Sequence, residues 1–145
     1  MIAAAAQYHP HKTRDAKALI GDIRRWIDGA EKAGADIVVL PAFMGCRYDM
    51  LRGGLKSLGE LYQNERGYYL EEMAELSRKY EIHICPGSYW ERQAGHVYHA
   101  SCILHDGEII ARQRQIYLAR WERELGLSRG TDISLVTIQG FRIGL

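Results

Sequence analysis

Gly34-Ala35-Asp36-Ile37-Val38-Val39-Leu40-Pro41-Ala42-Phe43 is the stretch that decides the fold. Its five consecutive apolar residues, Ile37 to Pro41, lie between Gly34 and a loop expected from about Met44, and they read as a strand buried on both faces. The residue at the carboxyl end of such a strand faces the crevice in which α/β proteins place their chemistry. A carboxylate is the residue type to expect there, and the chain supplies Ala42.

Upstream, Ile2 to Gln7 reads as a first buried strand ending before the His9-Pro10-His11 turn. A helix capped by Thr13 or Asp15 follows, with Leu19, Ile20, Ile23, Trp26, Ile27 and Ala30 along one stripe and Gly34 ending it in a left-handed conformation. Strand, amphipathic helix and buried strand make a βαβ unit with parallel strands and a right-handed crossover. Downstream, Gly45 to Gly67 is glycine-bearing and weakly patterned, with one helical turn pair around Leu55, Leu58 and Tyr62, and reads as a surface excursion. A second helix carries Tyr69, Leu70, Met73, Leu76 and Tyr80 on one face and Glu71, Glu72, Glu75, Arg78 and Lys79 on the other. Ile82 to Tyr89 is expected as a third strand. Then come Val97 to Leu104, a hairpin at His105-Asp106-Gly107, Glu108 to Tyr117, and Ile133 to Ile138 turning at Gln139-Gly140 into Phe141 to Leu145. A βαβ opening followed by hairpins predicts a mixed sheet in a layered α/β fold. Phe141 to Leu145 reads as the opening of a strand, as in a chain cut mid-fold, which would leave apolar sheet surface for a partner to cover.

The 145 residues are 47% apolar, enough for one modest core and a single unit. Nineteen basic residues against 18 acidic ones give a formal charge of +1 with no long run of either sign, so no nucleic acid and no anionic membrane is implied as a partner. With no signal-peptide pattern and no apolar stretch near the roughly 18 residues that span a bilayer, a soluble cytoplasmic protein is expected. Cys46, Cys85 and Cys102 are odd in number and far apart, which fits reduced thiols used as small hydrophobes.

Five segments in register resemble the nitrilase superfamily of carbon–nitrogen hydrolases: the first strand ending in Gln7, Ala33 to Pro41, Pro86-Gly87-Ser88-Tyr89, Asp106-Gly107-Glu108-Ile109, and Arg114-Gln115-Ile116-Tyr117-Leu118. Each is weak alone, and their shared order is what makes the resemblance specific. It runs from Ile2 to Leu145, about the first half of that family's domain, so residues 1–145 are expected to be the N-terminal portion of a single domain. The resemblance implies an αββα sandwich, incomplete at the C-terminus, and a Glu-Lys-Cys site that hydrolyses nitriles, amides or carbamoyl groups through a thioester. In such a site the cysteine attacks carbon, a glutamate shuttles the proton, a lysine stabilises developing charge and a second glutamate orients the lysine.

Carried over by position, the first glutamate falls on Ala42 and the lysine on Gln115, which can donate a hydrogen bond but brings no cation. The second glutamate falls on Glu122, seven positions after Gln115. The nucleophilic cysteine would fall a few residues past Leu145. Glu122 also has a plainer reading, as part of a charged surface turn Trp121-Glu122-Arg123-Glu124.

Cys46, in Gly45-Cys46-Arg47-Tyr48-Asp49, is a substitute nucleophile that Arg47 could activate, but no histidine or glutamate is placed by sequence to assist it. His9, His11, His96 and His99 are read as loop histidines. No metal and no cofactor are expected. Trp26, Tyr68, Tyr69 and Trp90 are read as core or layer-interface aromatics, the alternative being that some of them line a ligand pocket. The expected function is that of a carbon–nitrogen hydrolase relative inactive as this chain; the alternative is a non-catalytic pseudoenzyme that binds a small molecule or pairs with an active homologue. A frame with no selected function is a third reading. An amide or nitrile would be the ligand of an active form, and the resemblance implies homo-oligomers, dimers packed sheet-pair to sheet-pair, or a chain that completes the fold.

Overall fold

The structure is a computed structural model and describes residues 1–9, 13–65 and 67–145, so Pro10 and His11 of the expected turn lie outside the described residues. Strands β1 (Ala3–Ala5) and β2 (Ile37–Val39) pair in parallel, Ala4 opposite Val38, across helix α1 (Ala16–Lys32). Asp15 caps α1 by accepting the Ala18 N–H at 2.8 Å, and Leu19, Ile20, Ile23, Ile27 and Ala30 are its buried stripe. The order of strand, helix and strand and the parallel pairing are thus as the sequence predicts, with shorter strands.

The stretch from Gly45 to Gly67 is not a surface excursion. Met44–Gly53 forms helix α2, in which Met44, Gly45, Cys46, Tyr48 and Asp49 are buried, and Leu58–Gln63 forms the short helix α3, capped by Ser57. Helix α2 lies tight against the sheet because Gly45 has no side chain: a Cβ there would stand 2.5 Å from the Tyr89 Cβ. The tyrosines Tyr48 and Tyr69 pack together behind it, with ring centroids 5.6 Å apart. Helix α4 (Tyr69–Tyr80) buries Tyr69, Met73, Leu76 and Ser77.

The single strand expected over Ile82 to Tyr89 is two. β3 (His83–Cys85) pairs in parallel with β2, whereas β4 (Ser88–Gln93) pairs antiparallel with β5 (His96–His105). Pro86 and Gly87 break the run, and β3 pairs antiparallel with β5, Ile84 opposite Leu104. Gly87 has φ +76° and sits against the end of β2; a Cβ on it would lie 1.9 Å from the Pro41 carbonyl oxygen. β6 (Glu108–Arg114) pairs with β5 to complete a six-stranded mixed sheet.

Alternation along the strands separates two faces. Val38, Ile84, Ala100, Cys102 and Leu104 join α1, α2 and α4 in the main core. Ile37, Ile103 and Ala111 face the other way and meet Ile138 of the hairpin β7 (Leu135–Ile138) and β8 (Phe141–Gly144). That hairpin is a separate two-stranded sheet, and Leu135 and Phe141 on it are exposed. Helix α5 (Arg120–Leu125), too short for periodicity to reveal, stands between β6 and β7 in sequence. No helix among the described residues is long and apolar enough to cross a membrane.

Two expectations follow from this packing. Gly87→Ala meets backbone on one side and a left-handed φ on the other, so it should cost about 2 kcal/mol or more in urea unfolding; an unchanged midpoint would show that β2 and the Pro86-Gly87 break do not approach as described. Asp49 has its carboxyl pushed up to about 6, first by burial, while the Tyr68 N–H that it accepts at 3.0 Å pulls the other way. Since the folded state holds this proton more tightly than the unfolded chain, its contribution is complete below about pH 4 and is lost as pH rises through 6. Asp49→Asn should therefore gain on the parent in stability between pH 4 and 7, and a constant difference across that range would contradict the assignment.

Candidate active site

The register of β4, β5 and β6 brings the site residues together. Ser88 pairs with Ser101, so His99, two residues from Ser101 on the same face, is its diagonal neighbour. Arg114 pairs with Ala100, so the next residue, Gln115, comes opposite His99 and donates its backbone N–H to the His99 carbonyl at 2.8 Å. The chain then turns through Tyr117 into α5. There Glu122, third in the helix, takes the Ala119 N–H on Oε2 at 2.7 Å and closes the helix start.

Glu122 is only 1% exposed, so the surface-turn reading fails. Its Oε2 also accepts from Gln115 Nε2 at 2.9 Å, and its Oε1 accepts from His99 Nδ1 at 2.6 Å. The Gln115 amide spends its second N–H on the Tyr117 carbonyl at 2.9 Å. Two acceptors around one atom fix which end of that amide is nitrogen. On the far side of the imidazole, His99 Nε2 lies 2.7 Å from Ser88 Oγ, and Ser88 Oγ accepts the backbone N–H of Phe43 at 2.8 Å. His99 is thus a buried strand residue and not the loop histidine expected from sequence; His96 is likewise in β5, exposed, with Nδ1 3.0 Å from Ser128 Oγ.

Of the three positions singled out in the sequence, Gln115 and Glu122 are bonded to each other. Ala42 lies exposed in the turn after β2 and is tied to the group through its neighbour Phe43. Phe43 is held at φ 60°, ψ 11°, a left-handed conformation that a bulky side chain disfavours. Its ring centroid is 4.6 Å from that of His99 and 6.0 Å from that of Trp121. Sequence reasoning missed Ser88, His99 and Phe43 as site members; Ser88 stood in the Pro86-Gly87-Ser88-Tyr89 block, but only the strand register joins it to His99.

Cys46 is buried in α2, and its thiol is pushed up to about 12, first by burial and then by Asp49, so Arg47 does not make it a thiolate. All three cysteines are free. Among the described residues no group of three or more His, Cys, Asp or Glu is placed to hold a metal. Of the aromatics, Trp26 packs at the core margin, Tyr69 donates its buried hydroxyl to the Pro86 carbonyl at 2.7 Å, and Tyr69 and Trp90 line a cavity of about 190 Å³ with Asp49 and Arg92. That cavity shares β4 with the Glu122 group but none of its residues, and hydrogen bonding makes the latter the chemical centre.

Comparison with known proteins gives the same framework. The family model for carbon–nitrogen hydrolases matches residues 2–145. No curated protein matches the sequence. Among solved structures, the glutamine-dependent NAD+ synthetase of Acinetobacter baumannii in complex with ADP superposes at TM-score 0.71 with 15% identity, over 98% of this chain and 26% of that one. Nit3 of Saccharomyces cerevisiae, a member of branch 10 of the nitrilase superfamily, gives 0.69 with 19% identity over 91% and 49%. The NitN amidase of Neterenkonia sp. AN1 gives 0.74 with 13% identity over 98% and 55%. At these identities the likeness is one of fold, and the chain spans about half the length of the last two. With the family model matched from residue 2 to residue 145, the chain belongs to the carbon–nitrogen hydrolase family and has the α/β fold of the nitrilase superfamily over the part that it spans.

Proposed function

We propose that this chain is the N-terminal portion of a carbon–nitrogen hydrolase domain that has lost the thioester chemistry of its family, and that the site around Gln115 and Glu122 binds a small uncharged carbonyl compound. The observation that carries this is the bond from Gln115 Nε2 to Glu122 Oε2. Where the resemblance calls for a lysine held by a glutamate, a neutral amide is held by that glutamate, and its N–H groups are both engaged. A neutral donor so placed supplies no positive charge to a developing oxyanion, and Ala42 has no group to move a proton. Without those two functions an attacking thiol gains little, because members of such a unit fail together.

Exposed apolar side chains on the hairpin and the sheet, among them Ile110, Leu135 and Phe141, support the further reading that this surface pairs with a second copy or an active relative. The free cysteines support a reducing, cytoplasmic setting.

The protein should show no hydrolysis of acetamide or propionitrile by ammonia release. Turnover that survives Cys46→Ser would overturn the proposal outright, whereas turnover abolished by that substitution would transfer the nucleophile's role to Cys46. Placing the family's side chains back, as Ala42→Glu with Gln115→Lys, should preserve the Glu122 contact, since a lysine ammonium can donate where the glutamine amide does now.

A further inference from the structure

We infer that Ser88, His99 and Glu122 form a hydroxyl–imidazole–carboxylate relay that makes Ser88 a nucleophile toward small esters. The inference rests on the reading of this site as one that binds a small molecule without thioester chemistry, and adds a reaction that the site can still perform.

Three features carry it. The first is order: Glu122 Oε1 to His99 Nδ1 is 2.6 Å and His99 Nε2 to Ser88 Oγ is 2.7 Å, so the two ring nitrogens face a carboxylate on one side and a hydroxyl on the other. Because Glu122 Oε2 already takes two N–H groups, the carboxylate acts as acceptor, Nδ1 carries the proton toward it, and Nε2 presents its lone pair to the serine. The second is the Phe43 N–H, which donates to Ser88 Oγ and leaves the hydroxyl proton the imidazole as its acceptor. The third is a gradient of burial. Glu122 is sealed at 1% exposure and His99 at 7%, while Ser88 at the other end is only half-buried. A histidine serving the core alone has no need of an accessible serine at its outer nitrogen. Beside that serine, Phe43 and Trp121 are both more than a third exposed and form an aromatic wall. Such a wall suits an aryl or alkyl group on the ester. The disfavoured backbone at Phe43 is of the kind that gathers at functional sites.

The reaction balances without any group from outside except water. Ser88 Oγ gives its proton to His99 Nε2 and forms a bond to the ester carbonyl carbon. As the tetrahedral intermediate collapses, the C–O bond to the alcohol breaks and His99 returns that proton to the leaving oxygen. Water then gives a proton to Nε2 and attacks the acyl carbon, the bond to Ser88 Oγ breaks, and Oγ recovers the proton as the carboxylic acid departs. The Phe43 N–H, bonded to Ser88 Oγ at 2.8 Å, holds that oxygen in place. His99 and Ser88 are the catalytic residues here; Glu122, which touches only His99 and its own supports, is a positioning residue.

The test is reaction of the full protein with a fluorophosphonate, with the adduct located by peptide mass spectrometry, alongside release of 4-nitrophenolate from 4-nitrophenyl acetate. The expected result is one adduct per chain, on Ser88, and an initial burst of nitrophenolate of the same stoichiometry. Ser88→Ala and His99→Gln should each reduce ester turnover by about 100-fold or more, Glu122→Gln should lower kcat with KM unchanged, and Cys46→Ser should leave the rate as it was. Ser88→Ala removes one oxygen at a half-buried site, so it carries the decision even if the other two variants fail to fold. An unlabelled parent that melts cooperatively, an adduct on another residue, or Ser88→Ala reacting at the parent rate would each overturn the inference. Acetamide release reads the amide chemistry and phosphonylation reads the serine, so either proposal can fail while the other stands.

Discussion

A carboxylate at 1% exposure has to be completely bonded, because each unpartnered oxygen removed from water would cost several kcal/mol. Glu122 meets this demand with N–H donors from three different places: the Ala119 backbone at the start of α5, the Gln115 amide after β6, and the His99 ring in the middle of β5. Those bonds set where α5 stands on the sheet. They also set the ring plane of His99, and through it the rotamer of Ser88, which in turn holds the Phe43 N–H at the mouth of β2. One buried charge thus links the hairpin region of the sheet with the end of its parallel half.

The proposed reading of positions 42 and 115 as substituted family positions fits this arrangement. A buried glutamate facing a lysine is a charge facing a charge; replace the lysine with glutamine and the carboxylate keeps its hydrogen bond but loses its cation. His99 stands at the remaining oxygen, its Nδ1 2.6 Å away. The Glu122 carboxylate is thereby joined through the imidazole to Ser88.

The parts of the fold that the sequence made legible are those with a simple period. Helix α1 shows its stripe, α4 its two faces, and β2 its unbroken apolar run, because in each a single face or pair of faces meets the core. Helix α2 hid behind Gly45, Gly53 and Gly54, which read as loop punctuation; Gly45 is there because the helix touches Tyr89 backbone-close, a tertiary demand without local signature. The break at Pro86-Gly87 was hidden for a similar reason, since the apolar pattern runs straight across it. Of the site, the pairing of Gln115 with Glu122 is implied by the family resemblance. His99 is not: only the β4–β5 and β5–β6 registers show that a histidine, a serine and a glutamine spread over 28 positions share one face and one edge.

The ten-residue strand β5 has a consequence for how the molecule assembles. Its partners β4 and β6 are joined to it by turns at Ala94-Gly95 and Asp106-Gly107, so this meander closes through short loops, whereas β1 and β2 meet only after some thirty residues of chain have been ordered. Loops that short lose little entropy on closing, and topologies of low sequence separation form first. Ser88, His99 and Gln115 all belong to this locally connected meander, while Phe43 belongs to the parallel half built from distant segments. The hydrogen bond from the Phe43 N–H to Ser88 is therefore a seam between the local and the non-local parts of the sheet.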